Sequence, residues 1–254
     1  MIVPQPLRER IAPATAQRIA AELAPIEAGM EVAMPPCRLL LLCFTNRCGS
    51  NYLGQLLAAT GFFNEAGENF NAETVLEHAR GLPRPSLRAY LPHLDGLIGR
   101  NGWLVVKASV DQLMMLTDAG ILDDMHDRTV FLLLERRDRL AQAVSRCIAA
   151  QTGRWTTGHA ALADATAYSR ATIDAELAKV ALANQGFYAF FAANRIAPLH
   201  LVFEDVVAAP QAALDAVASR CGVAPLRADP TGVRIRRQAD AINAAWMARY
   251  KAGG

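Results

Sequence analysis

The chain has 254 residues, of which 52% are apolar and 20% are charged. This composition supports a substantial hydrophobic core and excludes a largely disordered chain. The formal net charge of +2 argues against a nucleic-acid-binding protein, and no apolar run is long enough for an integral membrane segment. We therefore expect one large domain over residues 37–254, preceded by an N-terminal helical arm over residues 1–36.

The cysteine and histidine patterns narrow the class of protein further. The five cysteines are odd in number and contain no Cys-x-x-Cys pair, so neither a disulfide framework nor a zinc site is indicated. The histidines show no spacing typical of a metal site. The N-terminal stretch mixes acidic and basic residues and is unlike a signal peptide. These features favour a cytoplasmic protein without a metal, in which the arm packs on the domain or forms a homodimer contact.

The apolar pattern, taken in chain order, predicts helices that alternate with buried strands. The arm is helical over 7–28 with an interruption at Pro13. Buried strands are expected over 39–44, 103–106, 129–134 and 199–203. The other helices are expected over 50–60, 72–80, 86–99, from 138 onward, and over 166–195 and 212–221, and the tail (233–251) closes with an amphipathic helix that carries Ile242, Trp246 and Tyr250. This order predicts an α/β fold with a P-loop-like nucleotide-binding architecture, in which a central parallel sheet of about four to five strands carries helices on both faces.

The loop after the first strand, residues 45–50, has the pattern of an anion site. A strand, a short glycine-containing turn and a helix point backbone N–H groups and the positive end of a helix dipole at one spot. Such a spot binds phosphate or sulfate. The loop is not a Walker A sequence, because its cation, Arg47, precedes Gly49 and no lysine follows the glycine.

Further cations follow the other strands. In parallel α/β sheets, ligands lie beyond the carboxyl ends of the strands. The first three strands end at Arg47 with Ser50, at Lys107, and at Arg136 with Arg137. We therefore expect these residues to surround one cleft that binds an anionic nucleotide.

The same segments carry a family resemblance. The loop TNRCGSN (45–51) resembles the phosphosulfate-binding loop of sulfotransferases, and ERRDRLAQAVSRCIAAQTGRW (135–155) resembles their second nucleotide motif. FEDVVAAPQAALDAVASRCGV (203–223) and RRQADAINAAW (236–246) are similar to their closing segments. The likeness runs with gaps from about residue 38 to 250 and is to the bacterial family typified by trehalose 2-sulfotransferase.

The resemblance implies the reaction and the residues of the donor site. The reaction would be transfer of a sulfuryl group from 3′-phosphoadenosine-5′-phosphosulfate to a hydroxyl of a small-molecule acceptor, a carbohydrate or a glycolipid. Cys48 stands where the family has serine, and Asn51 stands where it has threonine. The residues implied to bind the donor are Arg47, Cys48, Gly49, Ser50 and Asn51 in the loop, Arg136 or Arg137 with Ser145 at the 3′-phosphate, and Arg237 with Gln238 in the tail.

The resemblance also implies the catalytic residues and the acceptor side. The family's catalytic base falls on Glu68, which follows Gly61 by seven residues, and Glu65 is the rival acid in the same loop. Arg47 and Lys107 would stabilise the charge on the leaving oxygen. The residues expected to line the acceptor pocket are Asn46, Glu65, Phe70, Asn71 and Trp155.

Two other functions stay open at this point. A small-molecule kinase on the same kind of sheet is disfavoured because the glycine of the loop is not followed by the lysine of a Walker A motif. A nucleotide-binding protein with lost or altered transferase activity is suggested by Cys48 and Asn51, whereas Glu68 and Lys107 favour an active enzyme.

Overall fold

The computed structural model describes residues 1–23, 32–155, 166–234 and 241–253. Its strands are β1 (Arg38–Phe44), β2 (Trp103–Ala108), β3 (Thr129–Glu135) and β4 (Leu199–Val202). They form one parallel sheet in the order β2-β1-β3-β4. The predicted α/β fold with a central parallel sheet is thereby confirmed.

Helices connect and cover these strands. In the described ranges they are α1 (Gln5–Arg10), α2 (Ala14–Glu22), α3 (Ser50–Ala58), α4 (Ala72–Ala79), α5 (Leu87–Ile98), α6 (Val110–Asp118), α7 (Ile121–Asp124), α8 (Arg139–Thr152), α9 (Arg170–Ala193), α10 (Phe203–Ala208), α11 (Pro210–Cys221) and α12 (Ala241–Lys251). The prediction contained neither α6 nor α7, and it placed Phe203 in a strand rather than at the start of α10. No helix among the described residues combines the length and the apolarity that crossing a bilayer requires.

The central strand β1 explains why helices cover both faces of the sheet. Its side chains alternate between two apolar clusters, with Leu39, Leu41 and Cys43 on one side and Leu40 and Leu42 on the other. The first cluster is completed by α2, α4, α5, α6 and α9, and the second by α3 and α11. All five side chains are 0% exposed, as expected for a strand of a parallel sheet that is covered on both faces.

The first 23 residues pack on the first of these clusters. Leu7 of α1 and Ile19 of α2 are both 5% exposed. Gly186 of α9 permits this approach, because a Cβ at that position would lie 2.8 Å from Leu7 Cδ1. The break predicted at Pro13 is present between α1 and α2. Residues 24–28 of the predicted arm helix lie outside the described residues.

The segment between α3 and α4 runs along the outer edge of β2. The side-chain amide of Asn64 donates to Val105 O at 2.8 Å and accepts from Val105 N at 2.8 Å. Two residues further along the strand, the N–H of Lys107 donates to Gly67 O at 3.0 Å. These contacts satisfy the unpaired backbone groups of an edge strand, and they place Glu68 beside the end of β2.

Candidate active site

The carboxyl ends of β1, β2 and β3 meet at one edge of the sheet, with β1 between the other two. Each strand end brings one cation: Arg47 follows β1, Lys107 is the penultimate residue of β2, and Arg136 follows β3. The sequence-based expectation that the three strand ends share one cleft agrees with this order.

The loop between β1 and α3 has the backbone of an anion-binding turn. Arg47 and Gly49 have φ angles of 67° and 95°, both in the left-handed region. Gly49 is the N-cap of α3, and no side chain caps that end of the helix. The first N–H groups of a helix have no partners within it. Together with the helix dipole, they form a site for a phosphate or sulfate group.

Gly49 also lies against the ring of Phe203, and this close contact leaves no room for a side chain. A Cβ at this position would lie 2.0 Å from Cδ2 of Phe203, the first residue of α10. The Phe203 ring is further held by an edge-to-face contact with Tyr52 of α3, with the ring centroids 6.3 Å apart. A glycine is therefore needed for two reasons, the positive φ angle and the aromatic ring that covers it.

Cys48 points into the core and not into the cleft. Its side chain is 0% exposed, and burial raises the pKa of the thiol to about 11. Its N–H donates to Thr45 O at 3.1 Å, inside the loop. The Cys48 thiol therefore packs among the residues of the second cluster, so any contact of Cys48 with a bound anion would come from its backbone.

The side chain of Arg47 lies against two residues that the sequence had singled out. Its Nε donates to Ser145 Oγ at 2.8 Å, and its Nη1 donates to the carbonyl of Trp155 at 2.6 Å. Burial and the nearby charge of Arg136 lower its pKa. Trp155 thus enters the site through its backbone, and Ser145 meets the loop arginine directly.

Of the two arginines after β3, only Arg136 faces the loop. Its Nη1 donates to Arg47 O at 3.3 Å, and its side chain is 16% exposed. Arg137 turns outward: its side chain is 61% exposed and its Nη2 binds both carboxylate oxygens of Asp205, at 2.7 and 2.8 Å. Of the two arginines, Arg136 is therefore the one that contacts the loop after β1.

The carboxylate of Glu204 stabilises the turn between β3 and α8. Its carboxylate accepts the backbone N–H groups of Arg137 at 2.9 Å and of Asp138 at 3.2 Å, and it lies 3.8 Å from Arg136 Nε. Glu204 is not among the site residues expected from the sequence. The signal in the sequence that could have indicated this role is the position of Glu204 in the segment Phe203-Glu204-Asp205, directly after the last strand.

Lys107 and Glu68 form the centre of the cleft on the β2 side. Lys107 is 3% exposed, its Nζ donates to Asn51 Oδ1, and it lies 3.4 Å from Glu68 Oε1. Burial lowers the pKa of Lys107, and the nearby Glu68 offsets part of that shift. The Glu68 side chain is 37% exposed, so it is open to solvent while one of its oxygens contacts a buried cation.

The side-chain amides of Asn71 and Gln112 connect the second carboxylate oxygen of Glu68 to the start of α6. Asn71 Nδ2 donates to Glu68 Oε2 at 3.4 Å, and Gln112 Nε2 donates to Asn71 Oδ1 at 2.9 Å. Gln112 is 4% exposed, and its Oε1 accepts the N–H of Ser109 at the start of α6. Gln112 is not among the site residues expected from the sequence, although Ser109-x-x-Gln112 has the spacing of a capping box.

Phe70 does not reach the cleft. Its ring is 0% exposed within the first apolar cluster, 6.4 Å from the ring of Tyr90. Its assignment to the acceptor pocket is corrected accordingly, because an apolar ring in a polar loop is stabilised by burial against the core.

Glu65 has different partners from Glu68. Its side chain is 52% exposed. It accepts from Gln55 Nε2 at 3.2 Å and lies 3.8 Å from Arg234 Nη2, at the start of the tail. The predicted tail residues Arg237 and Gln238 lie outside the described residues.

The described residues contain no group of three or more His, Cys, Asp or Glu side chains placed to hold a metal ion. The cleft as described presents cations, amides and one carboxylate. Such a set of groups can bind a polyanionic nucleotide and accept a proton from a hydroxyl group.

Comparison with known proteins identifies one family. The family model described as Stf0 sulphotransferase matches residues 98–253. The matched segment includes Lys107, Arg136 and Ser145, whereas Arg47 and Glu68 precede it. No curated protein matches the sequence significantly. Among solved structures, the sulfotransferase domain from the Synechococcus PCC 7002 olefin synthase is 14% identical, covers 87% of this chain and 97% of its own, and has a TM-score of 0.40.

Proposed function

The chain belongs to the Stf0 sulphotransferase family, and on that premise we propose that it transfers a sulfuryl group from 3′-phosphoadenosine-5′-phosphosulfate to a hydroxyl of a small-molecule carbohydrate or glycolipid. The observation that carries the proposal is the contact of Lys107 Nζ with Glu68 Oε1 at 3.4 Å. This contact holds a proton acceptor and a cation together at the end of β2, next to the N-terminal end of α3.

The donor is a polyanion, and the cleft offers cations at both of its ends. We assign the 5′-phosphosulfate to the loop at Arg47, to the N-terminal end of α3 and to Lys107. We assign the 3′-phosphate to Arg136 and Ser145, which lie on the far side of Arg47. Charge-assisted hydrogen bonds of this kind are about twice as strong as neutral ones.

In the proposed reaction, the acceptor oxygen attacks sulfur in line with the leaving phosphate oxygen. A new sulfur–oxygen bond forms, the bond from sulfur to the phosphate oxygen breaks, and adenosine 3′,5′-bisphosphate leaves. Glu68 takes the hydroxyl proton, while Arg47 and Lys107 stabilise the charge that develops on the leaving oxygen. Because the site already supplies these cations, the transfer does not require a magnesium ion.

Calorimetry tests the donor assignment. Adenosine 3′,5′-bisphosphate is titrated into the protein with and without a metal chelator. The expected result is binding that the chelator leaves unchanged, followed by transfer of labelled sulfate from the donor into a carbohydrate or glycolipid extract. Metal-dependent binding with a preference for ATP would instead indicate a kinase. Nucleotide binding without transfer to any acceptor would indicate a binding protein.

A further inference from the structure

The loop between β1 and α3 is held on its carbonyl side by the segment that follows β3. Gln142 Nε2 donates to Thr45 O at 3.3 Å and to Asn46 O at 3.0 Å. Arg136 Nη1 donates to Arg47 O at 3.3 Å. Three consecutive carbonyl groups of the loop therefore accept hydrogen bonds from residues at the end of β3 and in α8.

Gln142 is an unusual side chain for the position that it occupies. It is 0% exposed, and among the described residues its Oε1 has no hydrogen-bond partner. A buried acceptor without a partner costs stability. The reverse orientation of the amide would place its oxygen against two carbonyl oxygens, so donation to the loop is the interaction for which this amide is suited.

These hydrogen bonds set the direction of the loop N–H groups. In a trans peptide the C=O and the N–H point in opposite directions. Since the carbonyls of Thr45 and Asn46 point at Gln142, the N–H groups of Asn46 and Arg47 point away from α8. Arg47 also has a φ angle of 67°, a conformation that persists only where surrounding contacts hold it.

We propose that Gln142 is a positioning residue that holds the loop in its anion-binding conformation. Through it, α8, which carries Ser145 near the 3′-phosphate, is tied to the loop that receives the 5′-phosphosulfate. The inference rests on the proposed function, since it assumes that the loop binds the 5′ end of the nucleotide. It adds a residue whose side chain contacts neither the donor nor the acceptor.

The test compares two nucleotides in a variant that lacks the amide. Gln142→Met keeps the length of the side chain and removes both hydrogen bonds. Its affinity for adenosine 3′,5′-bisphosphate is expected to fall about tenfold or more. Its affinity for adenosine 3′-monophosphate, which has no group for the loop, is expected to stay within about twofold. Calorimetry measures both dissociation constants.

A matched control lies on the same helix. Gln151 also bonds a backbone through both ends of its amide, donating to Ala167 O at 3.0 Å and accepting from Ala167 N at 2.8 Å. It does not contact the loop, so Gln151→Met is expected to leave the ratio of the two affinities unchanged. Gln142→Asn, whose shorter side chain does not reach the carbonyls, provides a second variant if Gln142→Met does not fold.

The outcomes separate this inference from the proposed function. Equal loss of affinity for both nucleotides in the Gln142 variants, or no loss, overturns the inference while the wild-type protein still binds the bisphosphate. Failure of the wild-type protein to bind the bisphosphate overturns the proposed function and the inference together. Selective loss of bisphosphate binding in the Gln142 variants alone supports the positioning role.

Discussion

Lys107 and Glu68 are brought together by a backbone contact as well as by their charges. The N–H of Lys107 donates to Gly67 O at 3.0 Å, and the side chains then meet with Nζ 3.4 Å from Oε1. This backbone hydrogen bond at the edge of β2 holds Gly67, the residue before the proposed base Glu68, against Lys107, the cation beside that base. The two groups are expected to act as a unit, and the first two predictions test each of them.

Replacing Glu68 by Gln keeps the shape of the side chain and removes its ability to take a proton. Turnover is expected to fall by roughly 10²–10⁴, the usual contribution of a positioned general base. Affinity for adenosine 3′,5′-bisphosphate is expected to stay within about twofold, because the proposed donor contacts come from other residues. Steady-state kinetics and calorimetry on the same preparation measure the two effects.

Glu65→Gln is the control for this variant. Glu65 lies in the same loop, with a side chain that is 52% exposed and turned toward Arg234. It is expected to retain most of the wild-type turnover. An inactive Glu65→Gln beside an active Glu68→Gln would show that the assignment of the base is wrong.

The lowered pKa of Lys107 predicts an alkaline loss of activity. Burial lowers the pKa of the Lys107 ammonium group from its ordinary value of 10.5. Because the neutral amine cannot stabilise the leaving oxygen, kcat/KM for the donor is expected to fall as the pH rises through that lowered pKa. In Lys107→Arg the cation persists at high pH, and the alkaline fall is expected to move upward or disappear. Profiles of kcat/KM against pH for both proteins measure this shift.

Stability provides the control for the alkaline loss. Between the lowered pKa and the ordinary one, the unfolded chain binds more protons at Lys107 than the folded chain does. The contribution of Lys107 to the free energy of unfolding therefore increases with pH in that window. A melting temperature that falls in parallel with activity would attribute the loss to unfolding rather than to the deprotonation of Lys107.

Gly49→Ala is expected to destabilise the protein more than another glycine replacement at a positive φ angle. The methyl group would meet the Phe203 ring at 2.0 Å, and overpacking adds about 1–3 kcal/mol to a conformational cost of about 1–2 kcal/mol. Gly61, with a φ angle of 70° and no atom within 4 Å of an added Cβ, is the matched control and bears the conformational cost alone. Thermal unfolding of both variants measures the difference.

A second replacement separates the two costs at Gly49. Phe203→Ala removes the ring that the new methyl group would meet, so the double variant is expected to recover part of the stability that Gly49→Ala loses. A double variant whose loss equals the sum of the two single losses would show that the ring does not cause the effect.

Glu204→Gln is expected to weaken nucleotide binding from outside the cleft. Its carboxylate accepts the N–H groups of Arg137 and Asp138, so the turn that presents Arg136 loses a charged acceptor. Affinity for adenosine 3′,5′-bisphosphate is expected to fall about tenfold, as measured by calorimetry. Asp205→Asn, which alters only an exposed pair with Arg137, is expected to change that affinity less than twofold. Equal effects of the two replacements would contradict the role of Glu204.

The sheet was predictable from the sequence because the strands leave little ambiguity. An apolar run such as 39–44 is buried on both faces, and its residues alternate between two clusters regardless of the details of packing. The predicted strand ends then place Arg47 and Lys107 correctly, since neighbouring parallel strands end at the same edge of the sheet.

Helix α6 was missed because it is covered on nearly all sides. Between Val110 and Thr117 almost every residue is buried, so the segment lacks the polar stripe by which an amphipathic helix is detected. The capping-box spacing of Ser109 and Gln112 was the local signal available, and it predicts a helix start irrespective of burial.

The directions of single side chains were the least predictable part of the site. Arg136 and Arg137 are adjacent in a turn, and their acidic partners, Glu204 and Asp205, come from a segment that is distant in sequence. Phe70 lies in a loop of polar residues and is expected from the sequence to line the acceptor pocket, but tertiary packing places it in the core. Local sequence contains neither of these contacts.

The burial of every cysteine makes thiol chemistry a measure of how the protein opens. All five are free and buried, and burial raises the pKa to about 11 for Cys48 and to about 12 for Cys37. The thiolate is the form that attacks alkylating reagents, so labelling at neutral pH requires that the surrounding structure first open. Labelling at Cys48 reports the opening of the loop after β1, and labelling at Cys37 reports the opening of the opposite end of the same strand. Comparing the two rates shows whether the loop opens alone or only when the whole sheet unfolds.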